Sequence, residues 1–596
     1  MQLWTLLSFV LFTVAVALFS YFKTRHHDTS TNDGYFLGGR SLSGIYIAGS
    51  LLLTNLSAEQ LVGLNGNGFS SGLSSMAWEI TSGITLVMMA ILFLPRYLKG
   101  GFTTIPEFLE KRYDKGTRNI VTALFLISLS VVTMPTVLYA GALAITSLFD
   151  LSGLLHISQL TALTLIVVLI GIIGSLYTII GGLKAVAVSD TFNGVGLLIG
   201  GFAIPILGFI KLGHGHLFQG INQIIVNHPE KIDTFTTTGA TPIGAVFTGV
   251  ILVNMFYWCC NQEIVQRGFA AKDLSEGQKG VLYAGLIKVL IPLALVFPGI
   301  IAFHLYGSQI SNQDMAYAYL VRHVLPGPLL GLFAAVLFGA VLSAFNGALN
   351  SATTMFSINI YKPMINPDVS DQRLVKLGRL FGIAMVIFSV LVAPNIAKAP
   401  EGLYVFMKSV MGYINIPTLS VVVIGFATKK VPPIGAKLAI AFFLLAYSLY
   451  KFVFRWDINY LYVYGVLFLC CIGIMLLAGK LAPKKPEQIY ILKDVGVVDL
   501  TPWRFARPVS AVIVLTIAFV YVLFSPIGVV GHADYGLRAG LLFLVYAVLA
   551  VGTFYLFTTR FNYKQFNRHS EMVAEPKGVV INEAQASDPN YDRHHA

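Results

Sequence analysis

Apolar segments long enough to cross a bilayer recur from one end of this 596-residue chain to the other, with short charged turns between them. A spanning helix needs about 20 mostly apolar residues, and about fifteen stretches qualify. They are 2–22, 43–66, 74–97, 119–148, 158–180, 189–212, 242–266, 280–305, 328–361, 377–396, 402–427, 435–455, 459–479, 508–530 and 536–559. Only 11% of the residues are charged, against roughly 25% in a soluble domain. The pattern therefore reads as an all-α polytopic membrane protein. The net charge of +12 is spread over the turns, not gathered on a soluble module with its own core, which argues against nucleic-acid binding. Cys259-Cys260 and Cys470-Cys471 are adjacent pairs within apolar stretches, so no disulfide framework is expected.

The first segment carries its basic flank, Lys23 and Arg25, behind it, opposite to a secretory signal, so it is read as a true helix. The distribution of Lys and Arg then sets the orientation. With the N-terminus outside and fifteen alternations, 31 of the 40 Lys and Arg fall inside and 7 outside, while Lys288 and Lys408 lie within spans. The C-terminus is accordingly expected in the cytoplasm. Two longer outside loops, about 213–241 and 306–327, have room for short helices. The inside stretch 480–507, with Pro483 and Pro486, reads as a linker, and the polar tail from about 565 reads as disordered.

Polar side chains at membrane depth are expensive and mark function by default. The second span contains Thr54-Asn55-Leu56-Ser57-Ala58-Glu59-Gln60 and then Gly63, Asn65, Gly66, Asn67 and Gly68, a poor lipid-facing helix. An unwound helix lining a cavity accounts for them, with freed carbonyls to hold a cation. In the third span Glu79 and Ser82 share one helix face. The seventh holds Asn254, Tyr257, Trp258, Asn261, Gln262 and Glu263. Amides and carboxylates can exchange hydrogen bonds with hydroxyls, and an aromatic face can cover the C–H face of a sugar; a plain interfacial aromatic belt is the other reading of Tyr257 and Trp258. Lys288, in the eighth span, must pair with an acid such as Glu79, reach a polar cavity, or snorkel to the inner surface. Asp190 either caps the sixth span or serves a site. Ser343 and Asn346 lie mid-way along the ninth among small residues that permit close packing. Spans two to six and seven to eleven form two sets of five, necessarily of opposite topology. Each opens with its most polar helix, the pattern of an inverted repeat.

Several motifs stand in fixed order: Gly34-Tyr35-Phe36-Leu37-Gly38-Gly39-Arg40-Ser41-Leu42, Asn55-Leu56-Ser57-Ala58-Glu59-Gln60, Thr104-Ile105-Pro106-Glu107-Phe108, Gly181-Gly182-Leu183 with Asp190, Asn261-Gln262 through Gln266-Arg267, and Leu349-Asn350-Ser351. From about residue 30 to 430 they resemble the sodium:solute symporter family, and within it the bacterial sodium/glucose and sodium/galactose branch. The resemblance implies a LeuT-type 5+5 inverted-repeat fold working by alternating access. It implies sugar ligands at Gln60, Glu79, Asn254 and Lys288, with Asn55 and Ser82 nearby, and an aromatic gate at Tyr257 beside Trp258. It implies sodium held by backbone oxygens of Leu53, Leu56 and Ala340 and the hydroxyl of Ser343, with Asp190 near an ion exit route. Two positions depart from the branch. Ala344 stands where a second sodium-binding hydroxyl is usual, and Met407-Lys408-Ser409-Val410 stands where a glutamine ligand is usual, with Ser409 nearest to it.

The expectation is a symporter, not an enzyme, of the bacterial inner membrane. It imports a small polar solute, a monosaccharide by preference, with sodium as coupling ion. Proton coupling, a polyol or sugar acid as solute, and a transporter-like sensor are the alternatives. The expected parts are an accessory helix (1–30), a transport core (31–430, its repeats about 43–212 and 242–427), accessory helices (431–564) and a tail (565–596).

Overall fold

A computed structural model describes residues 2–24, 31–149, 151–237, 241–310, 313–398, 403–456 and 458–574. The described residues form helices and no strand; one isolated parallel bridge joins Leu42 to Ala271. Twelve of these helices are long and apolar enough to cross a membrane, and two bent pairs raise that number to 14. The remaining expected span is the pair Gly44–Asn55 and Ala58–Ser71, each half too short to count alone. By length and composition the described residues therefore give 12 to 14 spans, against the fifteen stretches expected, and the second expected span is this broken pair.

Both sets of five open on a broken helix. In span two, Asn55 ends the first half, Leu56 leaves helical geometry (φ −78°, ψ 57°) and Ser57 precedes the second half. No proline is involved. A run of short polar side chains offers the backbone alternatives to the helical ladder, and the ladder breaks there. In span seven, Ile243–Cys259 and Gln262–Phe269 meet at 44°. Asn261 caps the second half, accepting from the Glu263 N–H at 3.3 Å. The two broken spans are tied at one end. Leu42 donates to Ala270 O (3.0 Å) and Lys272 donates to Leu42 O (3.1 Å), which joins the start of span two to the end of span seven.

Three features differ from the sequence expectation. Span eight bends by 49° between Leu274–Leu290 and Pro292–Tyr306, because Pro292 supplies no N–H to the ladder. The segment 480–507 is no loose linker. Its Val495 N–H reaches Lys99 O (3.2 Å), its Asp499 O accepts from the Leu274 N–H (2.9 Å), and its Trp503 N–H reaches Gln278 Oε1 (2.8 Å), so it straps across the ends of spans three and eight. The closing helix Tyr535–Ala574 continues past 565; the rest of the expected tail lies outside the described residues. The two long loops do carry short helices, Leu217–Asn227 and Ala316–Val324.

Spans five and six lie in one helical run, Gln159–Leu212. A Cβ at Gly174 would meet Phe345 Cδ1 at 2.7 Å, and one at Gly339 would meet Asn193 Cγ at 2.3 Å. Gly339 and Phe345 are about 9 Å apart along their helix, while a straight helix would separate Gly174 from Asn193 by about 28 Å. The run therefore turns back between those two residues. Span one (Gln2–Thr24) packs on spans six and nine: Thr5 Oγ1 donates to Gly327 O (3.0 Å) and Ser20 Oγ to Ala185 O (2.9 Å). At Gly331 a Cβ would lie 1.9 Å from Thr5 O, so the backbones can approach only at glycine.

Candidate solute and cation site

The two helix breaks face one cavity. Its lining includes Thr54, Asn55, Gln60, Trp78, Glu79, Ser82, Asn254, Tyr257, Asn261, Glu263, Ala344 and Lys408. Of the sequence-predicted solute residues, Gln60, Glu79, Asn254, Asn55, Ser82 and Tyr257 are brought together there. The void is about 60 Å³, space for a few waters, so a solute enters only if a wall moves.

The lining is braced from behind. Lys288, fully buried, donates to Asn55 Oδ1 and Glu79 Oε2. It does not line the cavity, in contrast to the ligand role expected for it. It instead joins the break of span two to span three and neutralises the Glu79 carboxylate, which water cannot do at that depth. Snorkelling is excluded by the same contacts. Asn254 is also held by its neighbours: its Nδ2 donates to Trp78 O (3.0 Å) and Thr81 Oγ1 (2.6 Å), and its Oδ1 accepts from Ser82 Oγ (3.2 Å). By contrast, Gln60 Oε1 and Ser57 Oγ, at the break itself, are buried with no hydrogen-bond partner. Buried polar atoms in that condition call for a ligand or water.

Two expected residues fall elsewhere. Trp258 is fully buried behind the wall, with Lys288 Nζ 5.7 Å from its ring centre; only Tyr257 of the pair lines the cavity. Ser409 accepts from Lys451 Nζ at 2.7 Å, on the side of the accessory helices, and Lys408 takes the cavity position. Both corrections have one cause. Consecutive residues of a helix point about 100° apart, and at these two places the helix phase turns Tyr257 and Lys408 to the cavity and their neighbours away from it. Ser128, Thr133 and Asn415 also line it and were not singled out from sequence. Asn415 was findable by the rule that drew attention to Asn254, since it is an amide in the middle of an apolar span.

On the cation side, Leu53, Leu56, Ala340 and Ser343 are all buried, where the first half of span two meets span nine. A helix C-terminus leaves its last carbonyls without intrahelical donors, and this one ends at Asn55. Thr54 Oγ1 lies 3.3 Å from Ser343 Oγ, so a threonine hydroxyl stands beside the expected oxygens. Ala344 lines the solute cavity. Asp190 lies in mid-helix, which removes the capping reading. Its Oδ2 accepts from Ser50 Oγ (2.6 Å) and is 3.8 Å from Arg267 Nη2, and Arg267 Nε donates to the same Ser50 hydroxyl (2.7 Å). Carbonyl and hydroxyl oxygens are hard donors, the type that suits a hard cation.

Two broken helices from oppositely oriented sets of five, meeting over a polar cavity, define a multi-pass secondary transporter. The sequence comparisons agree. The family model for "Sodium:solute symporter family" matches residues 35–441. The uncharacterized symporter YidK of Escherichia coli (strain K12) is 48% identical over 533 residues, covering 89% of this chain and 91% of that protein. The sodium/glucose cotransporter of Vibrio parahaemolyticus is 31% identical, covering 72% and 81%. Sodium/myo-inositol cotransporter 2 of Mus musculus is 32% identical, covering 72% and 67%. Among solved structures, the substrate-bound outward-open state of a Na+-coupled sialic acid symporter superposes with a TM-score of 0.68 at 21% identity, covering 81% of this chain and 99% of that one, which supports the LeuT-type fold. The chain belongs to the sodium:solute symporter family. It is a sodium-coupled symporter and not an enzyme.

Proposed function

We propose that the protein imports a monosaccharide or a closely similar polyhydroxylated ring across the bacterial inner membrane, with its N-terminus outside and its C-terminus in the cytoplasm. The observation that carries this reading is the cavity wall: amides of Asn55, Gln60, Asn254 and Asn261, carboxylates of Glu79 and Glu263, and the aromatic faces of Trp78 and Tyr257. Such a set offers paired donors and acceptors to vicinal hydroxyls and a flat apolar surface to ring C–H groups. The likeness to sodium/glucose and sodium/myo-inositol cotransporters supports the same solute class.

In this reading sodium binds between Leu53, Leu56, Ala340 and Ser343. Its charge draws the broken end of span two against span nine and fixes the orientation of Asn55 and Gln60. The solute then binds on the cavity wall, and Tyr257 must move for release to the inside. Each ligand favours the same state, so the two affinities are reciprocally linked. One charge crossing 100 mV contributes about 2.3 kcal/mol to the coupled step. The test is counterflow of labelled hexoses in proteoliposomes with sodium or with choline. Sodium-dependent exchange is expected, with at least a tenfold loss in Gln60→Ala and Glu79→Ala. Exchange that is indifferent to both substitutions removes the cavity from the mechanism.

A further inference from the structure

Away from the solute site, spans six and eight part around a second cavity, of about 320 Å³. Its described lining is Phe, Pro, Ile and Leu throughout. Three elements supply most of it. Span six contributes Phe202, Pro205 and Ile206. The short helix Leu217–Asn227 of the following loop lays Leu217, Ile221, Ile224 and Ile225 over it, one face at i, i+4, i+7 and i+8. Span eight contributes Leu293 and Phe297, just past the bend at Pro292. Phe202 stands ten residues before Leu212, where its helix ends, a rise of about 15 Å. That is half of the roughly 30 Å hydrocarbon thickness. The cavity thus runs from one membrane surface, the outer one in the orientation proposed above, to the midplane.

The cavity is continuous with the surface that lipid covers. Ile206 and Leu293 line it and are 48% and 39% exposed, whereas Ile224 and Phe297 line it at 1% and 7%. The described side chains of its wall offer water no donor or acceptor. An engineered cavity of about 150 Å³ lined by Leu, Ile and Phe stays dry and takes up apolar molecules. Unfilled, the lining atoms would forfeit their dispersion contacts on one side, and the solvent at this depth is hydrocarbon.

We infer that the cavity receives one acyl chain of an outer-leaflet phospholipid, threaded beneath the helix Leu217–Asn227. A flexible chain is the shape that reaches from the surface to the midplane. Its place bears on the transport core through Phe297. The outer half of span eight is packed backbone against backbone on the second half of span two: the Gly299 N–H donates to Asn65 Oδ1 (2.9 Å), a Cβ at Gly299 would lie 1.9 Å from Asn65 O, and one at Gly68 would lie 2.4 Å from Val296 O. The chain therefore supports, from behind, the element on which the broken helix rests.

Photolabelling tests this. The full-length protein is placed in vesicles of phosphatidylethanolamine and phosphatidylglycerol that carry a phosphatidylcholine with a diazirine on its acyl chain, irradiated, and mapped by mass spectrometry. Label is expected on Ile224 or Phe297, which surrounding lipid cannot reach, as well as on exposed positions such as Val548 (67% exposed). Ile221→Trp, which fills the cavity, should lower the label on that pair at least fivefold and leave Val548 unchanged. Should that variant fail to fold, Phe209→Trp is read in its place, and the parent's labelling pattern decides by itself whether a chain enters. Label confined to exposed positions leaves the cavity to another occupant, and label on the pair undiminished in a filled variant means that the chain reaches them by another way. Either result overturns the assignment.

Discussion

The two helix breaks look alike in outline and differ in how their polar groups are satisfied. At the break of span seven the backbone is satisfied by the chain itself, and the unpartnered atom beside it, Trp258 Nε1, is a side-chain donor. Phe256 O accepts from the N–H groups of both Cys260 and Asn261 (2.8 Å each), Cys259 O accepts from Tyr97 Oη (2.8 Å), and the Asn261 side chain caps the next helix. At the break of span two, Ser57 makes no side-chain cap, and Ser57 Oγ and Gln60 Oε1 have no partner. Orphaned buried polar groups cost about 1–3 kcal/mol each. The span-seven break has its backbone groups and its cap in place, whereas at the span-two break the side-chain oxygens of Ser57 and Gln60 are left open. Ligand-dependent stability should therefore concentrate at span two.

The largest effect that would sharpen this contrast is at Lys288. It holds Asn55, at the open break, and Glu79 at once. Lys288→Ala leaves a buried carboxylate unpaired, a loss of roughly 3–5 kcal/mol, and the thermal midpoint in detergent should fall steeply. Lys288→Met combined with Glu79→Gln removes both charges and should recover much of the midpoint without recovering solute binding. If the double variant is no more stable than Lys288→Ala, the pair is not what braces the wall.

A smaller effect is expected at the cation side. Ser343→Ala should weaken sodium-dependent thermal stabilisation by about tenfold in apparent affinity, equivalent to roughly 1.4 kcal/mol. Ala344→Ser should move it the other way by adding an oxygen next to the set. Sodium titrations unmoved by both changes would mean that the ion is not held beside Ser343.

How much of this was legible beforehand depended on whether the cause was local. The break in span two could be read because Thr54 to Gln60 put short polar side chains where an apolar run was due, and Asn254 and Asn261 flagged span seven in the same way. The bend at Pro292 has an equally local cause, but the apolar stretch around it, 289–303, carries no polar residue to mark it. The place of Lys288 behind the wall, and the choice of Lys408 over Ser409 and of Tyr257 over Trp258, depend on helix phase. In the last span of the core that phase is fixed by distant partners: Tyr447 Oη and Tyr464 Oη on Ser409 O, and Lys451 on its hydroxyl. The strap at 480–507 is held largely through backbone groups such as Lys99 O and the Leu274 N–H, which no side-chain pattern announces.

The smallest expected effect tests the self-contained break. Asn261 has a β-region backbone and accepts from the Glu263 N–H, the geometry of a helix N-cap, and loss of such a cap costs about 1 kcal/mol. Asn261→Ala should therefore lower the thermal midpoint by a few degrees at most, with the same decrement in sodium and in choline, because no ion takes part in the cap. Asn261→Ser and Asn261→Asp keep an accepting oxygen and should recover most of the loss. A decrement that appears only in sodium would mean that span seven's break also depends on the cargo, and the distinction between a finished hinge and an unfinished one would have to be given up.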